Sequence, residues 1–331
     1  MRKSVFVVIF SIVAAATAIT LGVACADDTD DEPGRVRVVA TTTQIGALTR
    51  EVAGDSVRLD ILLANGADAH DFEPSPQDAV VLQNADLVFM NGIGLDEWLE
   101  NIIEGADTAE HVVVVTDGIE VFEGAGHDDD EHEAEDDHED EDEEDHEEDH
   151  DHEHDEGDPH VWHNPANVKI MVRNIVAALM RVDPDNADMY RSNGEAYEAR
   201  LDAVDAEIRA LINEIPPENR KMVTNHDAFG YFLRAYDLEF VGAIIPSTGS
   251  GSQPSAQELA ELSDLIKAEG VKAIFAEAEV DPSIAQQLAT DTGVTIVEGL
   301  YADSLGEPGS GAETVDGMLL ANARKISEAL K

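Results

Sequence analysis

The chain has few residues of several kinds, and each shortage excludes a class of structure or function. It contains one cysteine, Cys25, in 331 residues, so no disulfide can form within the chain. Lys and Arg number 20 against 72 Asp and Glu, which gives a net charge of −52 and argues against binding to nucleic acid. A His-Glu-x-x-His pattern occurs once, at 146–150 inside a run of acidic residues, and the nucleophile elbow of serine hydrolases is absent.

The N-terminus has the pattern of a secretory signal. A short basic region precedes the apolar stretch 5–23, and no later stretch is long and apolar enough to span a membrane. Cys25 resembles the lipid-modified cysteine of bacterial lipoproteins. Simple cleavage is the alternative, because Ala24-Cys25-Ala26 also has the small-x-small form. Both interpretations place the mature chain outside the cytoplasm, with 1–26 as the signal and 27–34 as a polar tether.

The stretch from His127 to Asp158 holds seven histidines and 23 acidic residues among its 32 residues. It has almost nothing apolar to bury and its carboxylates repel one another, so we expect disorder over 123–157. Its composition indicates weak metal binding at many sites, and a solvating insertion without a metal role is the alternative. The histidines are His127, His132, His138, His146, His150, His152 and His154.

Elsewhere, short aliphatic strands alternate with amphipathic helices, which predicts parallel sheets flanked by helices. A helix predicted over 184–212 would be about 43 Å long at the usual rise per residue, longer than one small domain requires. We therefore predict an α/β fold of two lobes, each with a mainly parallel sheet, joined by one long rigid helix. The predicted bounds are 35–182 for the N-terminal lobe, 183–215 for the linking helix and 216–331 for the C-terminal lobe. Predicted strands span 36–43, 57–63, 87–91, 112–116, 221–224, 239–244, 271–275 and 294–297.

Four polar residues lie where ligands bind in open α/β sheets, at strand ends or before helices. His70, His226 and Asp281 each follow a predicted strand, and His160 precedes a predicted helix. Three imidazoles and one carboxylate make a tetrahedral donor set suited to Zn²⁺, whereas Mn²⁺ favours more oxygen ligands. Taken singly, each residue could instead be a turn residue or a helix cap. Glu279 is an alternative to Asp281 or a further ligand, because both side chains belong to the same turn.

Two further histidines need a separate interpretation. His163 lies three residues after His160, so it could be an alternative ligand if that turn were helical. We favour a position beside the ligands or at the surface. His111 opens a predicted strand, and we interpret it as structural or exposed.

Several motifs occur in a set order along the chain: Asp68–Pro76, Asp158–Trp162, Thr224–Phe232, Phe275–Asp281 and Asp303–Gly306. They resemble the motifs of the metal-specific solute-binding proteins of bacterial ABC transporters, the zinc/manganese family also described as adhesin-like lipoproteins. The resemblance covers roughly Val36 to Lys331. It implies two α/β lobes joined by one long helix, with metal in the cleft between them. By the same resemblance the ligands are His70, His160, His226 and Asp281.

The resemblance implies a monomeric extracytoplasmic protein, not an enzyme, that captures a metal ion and delivers it to an ABC permease. A lipid anchor would hold it at the membrane if Cys25 is modified. His226 and the acidic insertion favour zinc, since manganese members tend to carry a carboxylate at the third histidine. A manganese-binding member, a secreted metal buffer and an adhesin are the alternatives. A secreted zinc hydrolase is disfavoured, since it would need an open metal position and a general base.

Overall fold

The computed structural model describes residues 34–67, 69–70, 72–103, 111–122, 157–245 and 254–331. Contacts within Arg35–Lys331 make this part of the chain one compact unit. The predicted signal region, Cys25 and the insertion histidines lie outside the described residues.

The first sheet has four strands: β1 (Val36–Ala40), β2 (Val57–Ile61), β3 (Leu87–Met90) and β4 (Val112–Val114). They are parallel and lie in the order β2-β1-β3-β4. Val38 in β1 pairs with Leu59 on one side and Leu87 on the other. All four residues of β3 are buried, as its uninterrupted apolar sequence requires of an inner strand in a parallel sheet.

The helices of this half are α1 (Thr43–Ala53), α2 (Pro76–Gln83), α3 (Trp98–Ile103) and α4 (Pro165–Val182). The Asn164 side chain accepts a hydrogen bond from Ala166 N, and Pro165 occupies the first turn of α4, where its missing N–H costs nothing. A short 3₁₀ turn, Val161–His163, precedes α4 and brings the chain out of the insertion.

One long helix, α5 (Ala187–Asn213), follows a 3₁₀ turn at Pro184–Asn186. Its 27 residues span about 40 Å. It packs against α1 and α4, and its buried stripe includes Tyr190, Tyr197 and Leu201.

The second sheet repeats the topology of the first. Its strands are β5 (Lys221–Thr224), β6 (Glu239–Ala243), β7 (Ala273–Glu277) and β8 (Thr295–Leu300). They are parallel, in the order β6-β5-β7-β8. The helices are α6 (Gly230–Tyr236), α7 (Ala256–Glu269), α8 (Ser283–Thr292) and α9 (Val315–Leu330), and α9 packs back on α5.

These sheets, their flanking helices and the long α5 confirm the predicted α/β fold. The exact lobe boundaries stay a prediction. Several strand bounds differ from expectation, and those of β7 and β8 bear on the site. The predicted strand 271–275 begins too early, because Val271 N still bonds to Ile266 O in the turn that ends α7. β7 instead runs to Glu277 and β8 to Leu300, where a bulged pairing joins them.

Candidate metal centre

Four side chains meet at the carboxyl ends of the two sheets: His70, His160, His226 and Asp303. Each offers one ligand atom, and these atoms all lie within 4.8 Å of one another. The Nε2 atoms of His70 and His160 are 3.3 Å apart. Asp303 Oδ1 lies 3.3 Å from His160 Nε2, and Asp303 Oδ2 lies 3.3 Å from His226 Nε2 and 4.0 Å from His70 Nε2. Ligands about 2.0 Å from a tetrahedral ion are about 3.3 Å from each other, so this spacing fits one ion.

The fold supplies these four residues from both halves of the chain. His70 lies between β2 and α2, and His160 directly precedes the 3₁₀ turn before α4. His226 follows the end of β5 by two residues, and Asp303 follows the end of β8 by three. His160, His226 and Asp303 are buried, and His70 is partly exposed. The site therefore lies where parallel strands end, as is usual in open α/β sheets.

Two carboxylates behind the cluster orient two of its histidines, His160 and His226. His160 Nδ1 is 2.7 Å from Asp158 Oδ1, and His226 Nδ1 is 2.7 Å from Glu277 Oε2. An ionised carboxylate only accepts hydrogen bonds, so each Nδ1 donates and each Nε2 lone pair points into the cluster. His226 Nε2 and Asp303 Oδ1 are buried and have no hydrogen-bond partner among the described residues. When the imidazoles are neutral, these atoms present lone pairs toward one point, and no N–H or O–H group of the described residues donates to them. A cation requires such an arrangement.

Without an ion, the cluster holds protons. Burial alone would lower the pKa of His160, but the negative charges of Asp303 and Asp158 outweigh burial and raise that pKa to about 9. Burial acts in the same way on His226, and the charges of Glu277 and Asp303 raise its pKa well above 6.5. Burial alone would raise the pKa of Asp303, but His226 and His160 hold it well below its usual range. A metal ion entering the site must displace these protons.

Asp281, the predicted fourth ligand, does not join this cluster, and Asp303 stands in its place. The Asp281 carboxylate is exposed and accepts hydrogen bonds from the backbone N–H and hydroxyl of Ser283. These bonds lower the pKa of Asp281, as expected of a carboxylate at a helix N-terminus. The structure does not bring Asp281 to the four converging groups, and its bonds to Ser283 agree with the alternative interpretation as a turn residue.

The sequence-based set of ligands omits Asp303, although Asp303 opens the motif Asp303-Ser304-Leu305-Gly306. Asp303 lies six residues beyond the predicted strand 294–297, and Asp281 lies equally far beyond the predicted strand 271–275. In the structure, Asp303 lies three residues past the end of β8 and Asp281 four residues past the end of β7. The distance from a strand end therefore does not separate the two aspartates, and only the folded structure shows that Asp303 reaches the histidines.

Glu279 lies beside the cluster without belonging to it. Its Oε1 accepts a hydrogen bond from Ser304 Oγ at 2.7 Å, and its Oε2 is buried without a hydrogen-bond partner in the described part of the chain. Burial raises the pKa of Glu279 to about 7, and the charges of Asp303 and Glu277 add to this effect. Glu279 is therefore a neighbour of the ligand Asp303 and not one of the four converging groups.

His163 is fully buried behind the cluster, and the four converging groups do not include it. Its ring stacks against Phe229 with 4.6 Å between centroids. Burial lowers the pKa of His163 to about 3, and the charge of His160 adds to the effect. Neither ring nitrogen makes a well-formed hydrogen bond to the described residues. His163 is thus a neutral imidazole packed among aromatic rings.

His111, in contrast, is exposed, with Nδ1 3.3 Å from Ala85 O.

Two parallel four-stranded sheets, a long helix and a buried cluster of three histidines and one aspartate define a metal-binding solute-binding protein. The family model described as zinc-uptake complex component A, periplasmic, matches residues 38–329. The chain therefore belongs to that family, whose members are substrate-binding proteins of metal ABC transporters and not enzymes.

Relatives cover nearly the whole chain. The manganese ABC transporter substrate-binding lipoprotein PsaA of Streptococcus pneumoniae is 30% identical over 316 residues, 93% of this chain and 94% of its own length. The metal ABC transporter substrate-binding lipoprotein SsaB of Streptococcus sanguinis is 29% identical over 305 residues, 90% of each chain.

Solved structures share the fold. The periplasmic zinc-binding protein TroA from Treponema pallidum superposes with a TM-score of 0.76 at 27% identity, over 90% of this chain and 99% of that one. A mutant form of a manganese-bound periplasmic metal-binding protein from Candidatus Liberibacter asiaticus gives 0.74 at 25% identity, over 90% of this chain and 100% of that one. Among the helices that the structure describes, none is both long and apolar enough to cross a membrane.

Proposed function

We propose that this protein captures Zn²⁺ outside the cytoplasm and delivers it to an ABC permease. The observation that carries the proposal is the convergence of His70, His160, His226 and Asp303 on one point. Three imidazole nitrogens and one carboxylate oxygen form a closed tetrahedral set, which zinc prefers. All four positions are taken by protein groups, so the site suits a carried ion better than an activated water.

Manganese is the second candidate. It is favoured by the names of relatives such as PsaA, which is called a manganese transporter lipoprotein. Against it stands the donor set, because Mn²⁺ prefers more oxygen ligands than one carboxylate offers. TroA, a periplasmic zinc-binding protein, shares the fold of this chain and is 27% identical to it.

The acidic insertion is proposed as an auxiliary collector of metal, with its seven histidines binding ions weakly. Phe122 O accepts a hydrogen bond from Asp158 N at 2.8 Å, so the chain enters and leaves the insertion at one point. Asp158 is also the carboxylate that holds His160. Ions collected by the insertion would thus be released close to the site. Deleting 128–156 should remove the weak sites and leave one tight site.

Attachment and location follow the same reasoning. The chain is proposed to act as a monomer at the outer face of the cell membrane or in the periplasm, anchored by lipid if Cys25 is modified. Mass spectrometry of the mature protein tests this, since lipid attachment at Cys25 adds acyl mass and cleavage after Ala26 does not.

Calorimetry with a competing chelator tests the proposed function. The wild-type protein should bind one Zn²⁺ tightly, and His226→Ala should bind it far more weakly, because one of four donors is lost. His111→Ala is the matched control and should bind like the wild type. Unchanged zinc binding by His226→Ala would contradict the site.

A further inference from the structure

The segment that carries Asp303 is hydrogen-bonded to the first half of the chain on both sides of the aspartate. Ala302 O accepts from Trp162 Nε1 at 3.0 Å, Leu305 N donates to Thr43 Oγ1 at 3.2 Å, and Gly66 N donates to Ser304 Oγ at 3.1 Å. Asp303 thus follows β8 of the second sheet, but the residues beside it in the chain are hydrogen-bonded to residues of the first half of the chain. The Gly66 bond differs from the rest because it reaches the connection that bears His70.

Ser304 is a buried branching point in this set of bonds. Its side chain is 2% exposed. Its hydroxyl accepts the Gly66 N–H and donates to Glu279 Oε1 at 2.7 Å. A hydroxyl has one donor and two acceptor positions, so the two bonds can exist together. The Ser304 O–H donates to the Glu279 carboxyl oxygen, and a lone pair of the hydroxyl oxygen remains to accept the Gly66 N–H.

The position of this hydroxyl matters for the ion. Gly66 lies four residues before His70, and Ser304 immediately follows Asp303 in the chain. His70 Nε2 and Asp303 Oδ2 are 4.0 Å apart, the longest of the four donor separations given above. The Gly66–Ser304 bond spans the same gap, so it ties together the two segments that carry His70 and Asp303.

We propose that Ser304 and Glu279 are positioning residues that hold the His70-bearing connection against Asp303 and so slow metal release. Glu279 fixes the direction of the Ser304 hydroxyl, and Ser304 in turn holds Gly66. Neither residue supplies a ligand atom, so the stoichiometry of binding does not depend on them. The inference rests on the proposed function, because it assumes that the four converging groups bind the ion.

Stopped-flow transfer of Zn²⁺ from the protein to a fluorescent chelator tests the inference. Ser304→Ala and Glu279→Ala should each raise the release rate about threefold to tenfold, the effect of losing one buried hydrogen bond. Because the two residues act in series, the double variant should release zinc no faster than the faster single variant. Glu279→Gln keeps a carbonyl oxygen for the Ser304 hydroxyl and should stay close to the wild-type rate.

Asp281→Ala is the matched control, since it removes an exposed carboxylate from the same β7–α8 connection and should leave the rate unchanged. Wild-type release from Ser304→Ala and Glu279→Ala, with one zinc still bound, would overturn the inference and leave the proposed function intact. Additive effects in the double variant, or a Glu279→Gln as fast as Glu279→Ala, would also overturn it. A wild-type protein that binds no zinc would overturn the proposed function, and the inference with it.

Discussion

His226 Nδ1 lies 2.7 Å from Glu277 Oε2, although 51 residues separate the two in the chain. His226 follows β5 and Glu277 ends β7, and these two strands are neighbours in the second sheet. Strand pairing therefore places a carboxylate behind the imidazole and aims the other ring nitrogen at the cluster. His160 is held in the same way by Asp158, two residues before it. Strand pairing thus orients the His226 ring, and a local turn orients the His160 ring.

Substitution of Glu277 should weaken binding without removing a ligand. In Glu277→Gln the amide no longer attracts the His226 Nδ1 proton as a carboxylate does, so the imidazole becomes a poorer donor to the ion. We expect a loss of about tenfold to a hundredfold in zinc affinity at unchanged stoichiometry. Chelator competition measures this. Glu261→Gln on the exposed face of α7 is the control, and equal affinities in both variants would contradict the role of Glu277.

Asp303 and Asp281 can be compared directly. Asp303→Ala removes the single oxygen donor and leaves three imidazoles, so tight zinc binding should be lost. Asp281→Ala removes an exposed carboxylate that accepts two hydrogen bonds from Ser283, and it should leave zinc affinity unchanged and lower the melting temperature only slightly. Calorimetry and thermal unfolding separate the two effects. Loss of binding in Asp281→Ala would restore Asp281 as a ligand and contradict the site described above.

Acid should weaken metal binding. Because the pKa of His160 is raised to about 9 and that of His226 lies well above 6.5, the empty site is protonated at neutral pH. Apparent affinity should therefore rise with pH until it levels off near the raised pKa values, and binding should release protons. Calorimetry in buffers of different ionisation enthalpy counts those protons. Zinc affinity that stays constant between neutral pH and pH 9 would contradict this assignment.

The same pKa shift predicts the stability of the metal-free protein. A histidine whose folded pKa is raised stabilises the fold fully below its unfolded value, here 6.5, and this contribution is lost as pH rises through about 9. Loss of the His160 contribution should thus lower the melting temperature of the metal-free protein as pH rises across that range. The zinc-loaded protein should not show this decline, since the ion replaces the protons. Melting temperatures measured across this pH range, with and without bound zinc, test the prediction.

His163 offers a test of the alternative ligand assignment. It is buried as a neutral ring among aromatic side chains, so His163→Phe replaces one flat ring by another and removes two poorly satisfied nitrogens. We expect zinc affinity and stoichiometry to be unchanged and the free energy of unfolding to change by less than about 2 kcal/mol. Loss of one bound zinc in this variant would show that His163 is a ligand after all.

The parallel sheets were predictable because their strands are short β-branched or aliphatic runs between clear turn and cap residues. Asn164-Pro165 marked the start of α4, and the long apolar stripe through Tyr197 and Leu201 marked α5. The three histidines were predictable because each lies just after a strand or before a helix. The choice between Asp281 and Asp303 was not, because each aspartate follows a strand of the second sheet at a similar distance. Only the packing of the folded chain shows which of the two reaches the histidines, and local sequence does not encode that packing.

The carboxylates behind the histidines were also beyond sequence reasoning. Glu277 lies beyond the predicted strand, which stops at residue 275. Strand pairing carries β7 two residues further and buries Glu277 at 3% exposure. A buried carboxylate needs a partner, and His226 is the one within reach. Such a pair forms only when β5 and β7 pair in the second sheet.

The choice of zinc over manganese is tested most directly by loading the metal-free wild-type protein with an equimolar mixture of both ions and measuring the bound metal by mass spectrometry. Repeating the measurement with manganese in hundredfold excess sharpens the comparison. The three imidazoles and one carboxylate predict one zinc per chain in both mixtures. Manganese retained at an equal or higher level in the equimolar mixture would contradict zinc capture as the function.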